Sequence, residues 1–261
     1  MLVCPVCGKE LQMEAGAAVC EKGHRFDRAR EGYVNLLRSS KNGDRMGDDK
    51  AAARCRRDFL NKGYYAPLRD GLLDIFREQE GNLLDICCGE GYYTSALAAL
   101  PGLRVWGFDI SKEMVRLAAK RGGAGYFVAN LANIPVADNG FDYCTHLFAP
   151  FNEKAFTRVL KSGGRLYTVV PGRFHLWGLK QTLYDTPYEN DEQLPPTETL
   201  RLVEVRKISA DIRLESKEDI ETVFHMTPYY FRTSSKDKAK LDGIEQLDTP
   251  IAFVIGVYEK P

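Results

Sequence analysis

The sequence predicts an α/β fold: a seven-stranded, mostly parallel sheet with flanking helices, and a small metal-binding domain at the amino end. Three observations carry that prediction. From residue 82 onward short apolar runs alternate with amphipathic stretches, and parallel neighbours in a sheet need such crossovers. The first run ends in a glycine-rich turn, Leu83-Leu-Asp-Ile-Cys-Cys-Gly-Glu-Gly-Tyr-Tyr-Thr94, the shape of a strand that turns sharply into a helix. Ahead of it, Cys4-Pro-Val-Cys7 and Cys20-x3-His24 offer two closely spaced pairs of metal donors.

A length of 261 residues suits one full α/β domain plus a small addition. No apolar run is long enough to span a bilayer, and residues 1–10 lack the charged and apolar regions of a signal peptide. A soluble, cytoplasmic protein without membrane association is therefore expected. The seven cysteines are odd in number and unevenly placed, which argues for reduced thiols and a local metal site over a disulfide framework. The net charge of zero hides an asymmetry, because residues 22–62 hold twelve Lys or Arg against six Asp or Glu. That basic segment suits contact with a polyanion; a solvated helix face is the plainer alternative.

Residues 1–35 are expected to form the first domain and 36–261 the second. In the first, a C-x2-C turn aims two thiolates at one point, and Cys20 and His24 supply a second pair at ordinary zinc spacing. Cys4, Cys7, Cys20 and His24 would make a closed tetrahedral site with no position left for water, so the zinc is expected to be structural. So short a segment buries too little apolar surface to fold alone, and metal binding would supply the missing stability. The polar run 38–49 reads as a loop, with Asp48 and Asp49 placed to cap a helix that carries Arg54, Arg56 and Arg57 on more than one face. Gly63-Tyr-Tyr-Ala-Pro67 breaks that helix, and an amphipathic one restarts over 68–77.

The second domain reads as strands over 83–87, 103–108, 125–128, 141–147 and 164–170, with helices over 92–100, 112–121 and 153–160 between them. Near-continuous apolar strands fit burial on both faces. Past Pro171 a helical stretch ends at Leu183, a polar loop covers 185–199, and strands over 202–214 and 250–258, with a short helix at 217–224, complete the sheet.

Ligands of such sheets sit beyond the carboxyl ends of the strands. Gly89 and Gly91 leave room for a backbone that approaches a ligand face on. The pattern D-x-C-x-G-x-G differs from the dinucleotide fingerprint, and Glu90 in the loop would repel a pyrophosphate but suit a cationic ligand. S-adenosylmethionine, with a sulfonium, an ammonium and no phosphate, fits better than NAD or a purely structural turn. Asp109, at the end of the second strand, is expected beside the ribose, with helix capping as its alternative. Asn130, at the end of the third, is expected at the adenine edge or is only a turn residue.

With zinc pairs and glycine turn together, the chain resembles the RlmA family of 23S rRNA guanine-N1 methyltransferases over most of its length. The motifs that carry this are C-P-x-C with C-x3-H, Phe26-Asp27, Glu31-Gly-Tyr-Val-Asn-Leu-Leu37, Arg57-x-Phe59-Leu-x-x-Gly63-x-Tyr65-x-Pro-Leu-Arg69, Leu84-Asp-Ile-x-Cys-Gly-Glu-Gly-Tyr-Tyr-Thr94, Ala149-Pro150 and Pro171-Gly-x-x-His175-Leu. The resemblance implies a zinc domain that helps hold an RNA hairpin and a class I, Rossmann-like methyltransferase domain. It implies cofactor contacts at Tyr65, the Gly89-Glu90-Gly91 turn and His175. Cys87 stands where the family loop has glycine, and its side chain would crowd the methionine moiety.

Guanine N1 carries a proton at neutral pH, so the reaction needs a proton acceptor or a stabilised anion. Asp142, His146 and His175 are candidates that spacing does not rank. The expected partner is a hairpin of 23S ribosomal RNA, with residues 54–57 helping to hold its phosphates; the oligomeric state, a homodimer included, is open. Two rival functions fit the same residues: a small-molecule methyltransferase with the zinc domain as a lid, and a non-catalytic RNA-binding protein that keeps S-adenosylmethionine as a structural ligand.

Overall fold

A computed structural model describes residues 1–37 and 50–261. The loop expected over 38–49, with its capping pair Asp48 and Asp49, lies outside the described residues.

The amino end is an antiparallel sheet of β1 (Leu11–Glu14), β2 (Ala17–Cys20) and β3 (Arg25–Asp27), followed by the two-residue β4 (Val34–Asn35). Helices α1 (Lys50–Asn61) and α2 (Ala66–Phe76) lead into the alternating region: β5 (Gly81–Ile86), α3 (Tyr92–Leu97), β6 (Leu103–Asp109), α4 (Lys112–Arg121), β7 (Gly125–Val128), β8 (Phe141–Leu147), α5 (Glu153–Val159) and β9 (Leu160–Pro171). Then come α6 (Trp177–Leu183), β10 (Arg201–Leu214), α7 (Lys217–His225), α8 (Ser235–Lys238) and β11 (Leu247–Glu259). Residues 185–199 carry no regular structure, as expected, and Glu153 pins the end of that segment by accepting from the N–H groups of Glu198, Thr199 and Leu200.

The large sheet runs β10-β11-β9-β8-β5-β6-β7-β4, all neighbours parallel except where β11 lies antiparallel between β9 and β10. All seven expected strands are in it. The eighth, β4, pairs Val34 with Phe127 and Asn35 with Val128. Two residues are too short a run for periodicity to mark as a strand.

The amino-terminal sheet does not stand apart. Leu2, Leu11, Val34 and Leu36 join one hydrophobic cluster with Ile86, Phe108, Phe127, Ile134 and Val136 of the large domain. Val3 N–H donates to Pro135 O at 2.9 Å and Ala137 N–H to Met1 O at 3.0 Å, which fastens the ribbon to residues 134–137. Apolar burial against the large domain thus adds to whatever a metal contributes.

The strand order fixes where ligands can lie. β5 is central, β6 flanks it on one side and β8 on the other, and all three end on the same edge. Both loops that leave β5 and β8 begin with a non-glycine residue in the left-handed region, Cys87 (φ 56°) and Phe148 (φ 56°). Such backbone is uncommon outside glycine and gathers at functional sites.

Candidate cofactor cleft and metal centre

At that edge lies a cleft of about 280 Å3. Its floor is the end of β5 and the glycine turn (Asp85, Cys87, Cys88, Gly89, Glu90), one wall the end of β6 (Asp109, Ile110) with Met114, the other residues 147–150, and Arg56, Leu60, Tyr92 and Tyr93 close the top. No described residue of the ribbon lines it.

Asp109 fastens the turn. Its Oδ2 accepts from Gly89 N–H at 3.0 Å and its Oδ1 from Ser111 N–H at 2.9 Å, while Ser111 itself caps α4. Both readings of Asp109 thus hold part of the geometry: it braces the entry to α4 and it faces the cleft. Asn130 is placed otherwise. Its Oδ1 accepts from Ala132 N–H at 2.9 Å, capping the 3-10 turn Leu131–Asn133, and it is not among the cleft's lining.

The two glycines differ in what they permit. A Cβ on Gly89 (φ 55°) would meet nothing within 4 Å, so this is the position where backbone faces open space. A Cβ on Gly91 (φ 83°) would lie 2.7 Å from the Ala118 Cβ and 2.9 Å from its Cα. Glycine is needed at 91 for the packing of α3 on α4, and Gly91 does not line the cleft.

Between them Glu90 is almost wholly buried. Its Oε2 takes the Arg121 guanidinium at 2.7 and 2.6 Å, and its Oε1 is buried without a hydrogen-bond partner. Burial lifts the carboxyl above its ordinary range against the pull of Arg121. An orphaned carboxylate oxygen in the cleft floor asks for a donor or a cation. Asp85, the first residue of the D-x-C-x-G-x-G pattern, is a second buried acid in the lining, with both oxygens hydrogen-bonded. It sits at the end of β5 with Thr94 and Thr145 hydroxyls on its oxygens, and burial pushes it up to about 6. Cys87 lines the cleft as a neutral thiol, pushed up to about 12 by burial and by the charges of Asp109 and Asp85.

Tyr65 and His175 come together 3.1 Å apart but stand behind the cleft. Ala252 N–H donates to His175 Nδ1 at 3.2 Å, so the proton is on Nε2, which donates to the Tyr65 oxygen. Both rings pack on Phe253, at 5.3 and 4.7 Å between centroids, and Phe253 in turn backs Phe148 at 5.6 Å. His146 is equally committed: Nε2–H donates to Pro150 O at 3.2 Å and Nδ1 faces the Thr168 hydroxyl at 2.8 Å. Burial lowers His146 to about 4 and His175 to about 3. Asp142 is near the amino end of β8, taken by Asn82 N–H and Lys161. None of the three candidate proton acceptors presents a free lone pair to the cleft.

The arginines of α1 are split. Arg54 is exposed, Arg56 lines the cleft and Arg57 is half-buried, and the charges of both Arg57 and Arg56 act on Glu90. Only Arg54 of the three is fully presented to solvent.

In the ribbon the four expected donors converge, all within 4.8 Å of one another. Cys7 Sγ lies 3.7 Å from Cys20 Sγ, Cys4 Sγ 3.5 Å from His24 Nδ1, and Cys20 Sγ 3.3 Å from the same nitrogen. Thiolates about 2.3 Å from a tetrahedral zinc are separated from one another by about 3.7 Å, so the donor set fits that ion. Val6 N–H points at Cys4 Sγ, 3.4 Å away, as an outer partner of the ligand.

The chain matches two family models: the zinc-ribbon amino-terminal domain of RlmA over residues 2–41 and a methyltransferase domain over 83–166. A Streptomyces fradiae protein named 23S rRNA (guanine(748)-N(1))-methyltransferase is 34% identical over 190 residues, covering 70% of this chain and 67% of the relative. YxjB of Bacillus subtilis (strain 168), whose name assigns it provisionally to the 23S rRNA (guanine-N(1)-)-methyltransferases, is 32% identical over 201 residues, 72% of this chain and 70% of its own. Among solved structures, a Haemonchus contortus phosphoethanolamine N-methyltransferase 2 has a TM-score of 0.51 at 15% identity, over 97% of this chain and 71% of that one, which establishes the methyltransferase fold. With its zinc ribbon, its glycine turn and relatives of this kind over two thirds of their length, the chain belongs to the RlmA family of 23S rRNA (guanine-N1)-methyltransferases.

Proposed function

We propose that this chain transfers the methyl group of S-adenosylmethionine to N1 of a guanine in a hairpin loop of 23S ribosomal RNA. The observation that carries the cofactor is the glycine turn set between two acids, with the Glu90 Oε1 buried and without a partner. A diphosphate would meet a carboxylate there; a sulfonium and an ammonium would meet favourable charge. The RNA target rests on the family.

S-adenosylmethionine supplies a methyl carbon on a sulfonium leaving group. The protein's share is alignment: Gly89 lets the backbone approach, Glu90 and Asp85 hold cationic groups, and Asp109, at the end of β6 and in the lining of the cleft, is placed for the ribose hydroxyls. Asn130, Tyr65 and His175 stay in the proposed cofactor set as supporting residues, Tyr65 and His175 acting through Phe253. No imidazole among the described residues faces the cleft, so the proton on N1 leaves by a route other than a histidine base. The target edge is the pairing edge, and an unpaired loop nucleotide reaches it without opening a duplex.

The ribbon, residues 1–35, is proposed to hold one structural zinc through Cys4, Cys7, Cys20 and His24 and to grip RNA, with residues 36–261 as the methyltransferase domain. Because the ribbon lines no part of the cleft, a lid over a small-molecule site is the weaker reading. A cytoplasmic location completes the proposal, and the oligomeric state, a homodimer included, stays open; among the described residues no helix is long and apolar enough to cross a membrane.

The test incubates the protein with labelled cofactor and large-subunit RNA from cells lacking it, then copies that RNA with reverse transcriptase. Methylation at N1 blocks pairing, so a stop one nucleotide before a single loop guanine is the expected result. Label on a small metabolite, or labelled RNA without a stop, refutes it. Phosphate contacts make RNA binding fall steeply with salt, and Arg54→Glu should weaken it while cofactor affinity stays unchanged. Arg56→Glu should weaken both.

A further inference from the structure

Methyl transfer to N1 demands that the guanine ring be held in one plane while its pairing edge stays free. A face contact does this, because stacking restrains a base without occupying N1, O6 or N2. We infer that Phe148 is the surface on which the acceptor guanine stacks; this rests on the reaction proposed above.

Four observations point to that ring. Phe148 lines the cleft, yet 44% of it is exposed, while Phe253, the ring it packs on, is buried. Its φ of 56° is a conformation that a bulky side chain adopts only where surrounding structure imposes it. The imposing contacts are on either side: Phe148 N–H reaches Val169 O at 3.4 Å, and His146 Nε2–H holds Pro150 O two residues on. Behind the ring, Phe253 backs it, itself packed on the hydrogen-bonded Tyr65 and His175.

Strand order supplies the direction. The acid facing the cleft from β6, Asp109, marks the ribose side, and the glycine turn after β5 lies between it and the loop after β8. An acceptor would need open space beside the cofactor, and on the side of β5 opposite Asp109 stands the exposed ring of Phe148. The Tyr65–His175 pair then acts through Phe253 to keep the ring in place.

The experiment compares wild type, Phe148→Leu and Phe148→Tyr as full chains with zinc bound, in three readouts: methyl transfer to the RNA, calorimetric affinity for S-adenosylmethionine, and fluorescence of a hairpin carrying 2-aminopurine at the mapped guanine. Base–aromatic stacking predicts that Phe148→Leu lowers kcat/KM by roughly ten- to hundredfold with cofactor affinity unchanged, and that Phe148→Tyr restores most of it. Wild type and Phe148→Tyr should quench the 2-aminopurine, and Phe148→Leu should not. Transfer by Phe148→Leu within about twofold of wild type overturns the inference, since loss of a stacking partner should cost more. Equal loss of cofactor affinity overturns it too, by making Phe148 part of the cofactor wall. Should Phe148→Leu fail to fold, absence of quenching with wild type is the refuting result. If wild type itself produces no stop at a guanine, the proposed reaction fails first, which separates the two outcomes.

Discussion

Gly89 and Gly91 are two residues apart in one turn, yet their replacement by alanine should have opposite consequences. Both have left-handed backbone, at φ 55° and 83°, so alanine carries about 1–2 kcal/mol of conformational strain at either site. Losing glycine's freedom in the unfolded chain returns about 0.4–1 kcal/mol. At Gly89 nothing within 4 Å obstructs the new methyl, so Gly89→Ala should cost about 0–1.6 kcal/mol of stability. At Gly91 the methyl would meet the Ala118 Cβ at 2.7 Å and its Cα at 2.9 Å, backbone of α4 that cannot swing aside. Overpacking of that kind adds about 1–3 kcal/mol, for a total of about 1–4.6 kcal/mol. In a chain of this size that is a fall in Tm of roughly 2–18 °C. Urea titration followed by circular dichroism gives the stabilities, and calorimetry gives cofactor affinity. Gly89→Ala should stay folded and bind S-adenosylmethionine poorly; Gly91→Ala should be unstable, with its remaining folded fraction less impaired in binding. The reasoning is refuted if Gly91→Ala matches wild-type stability, or if Gly89→Ala is the less stable of the two.

That contrast marks where the sequence is legible and where it is not. Spacing alone revealed the strand–turn–helix, because a glycine pair after an apolar run reports local backbone, and it revealed Cys4, Cys7, Cys20 and His24, because donor spacing reports local geometry. The reason for Gly91 was different from the one its motif suggests: the obstruction is Ala118, on the next helix, and no local pattern announces which face α4 turns toward α3. Arg56 posed the same problem. A helix with arginines on several faces can be read as a phosphate grip, but its rotation about its own axis is set by tertiary packing, which puts Arg56 on the cleft and leaves Arg54 outside. Tyr65 and His175 match the family motif while standing behind Phe253, because a motif records that residues matter together and not whether they touch the ligand. Asp85 opens the D-x-C-x-G-x-G pattern, but the pattern assigns it no role; its burial and its two threonine partners do. Phe148 carries no motif of its own in the sequence; its exposure in the cleft, its φ and the ring of Phe253 behind it are tertiary facts.

Two further outcomes are expected. Metal analysis should find about one zinc per chain, and Cys20→Ser should lose it and expose the amide protons of β1 to β3 to exchange, with cofactor affinity unchanged; a native, zinc-free wild type would overturn the assignment. The other concerns acid. His146 at about 4 and His175 at about 3 are held neutral by burial, so as pH falls from 6.5 toward 4 the unfolded chain takes up protons that the folded one refuses. Stability therefore falls with pH in that window, approaching roughly 1.4 kcal/mol per pH unit for each histidine. Asp85 works the other way: raised to about 6, it takes a proton in the folded state between about 6 and 4 that the unfolded chain does not, and offsets nearly one histidine. Urea titrations between pH 6.5 and 5 should give a net decline close to one proton, and Asp85→Asn should steepen it toward two. Comparing the two slopes cancels the acid release of zinc, which both proteins share. A slope unchanged by Asp85→Asn would mean that the carboxyl stays ionised in the folded cleft across that window, a standing negative charge in the lining where a cationic ligand would bind.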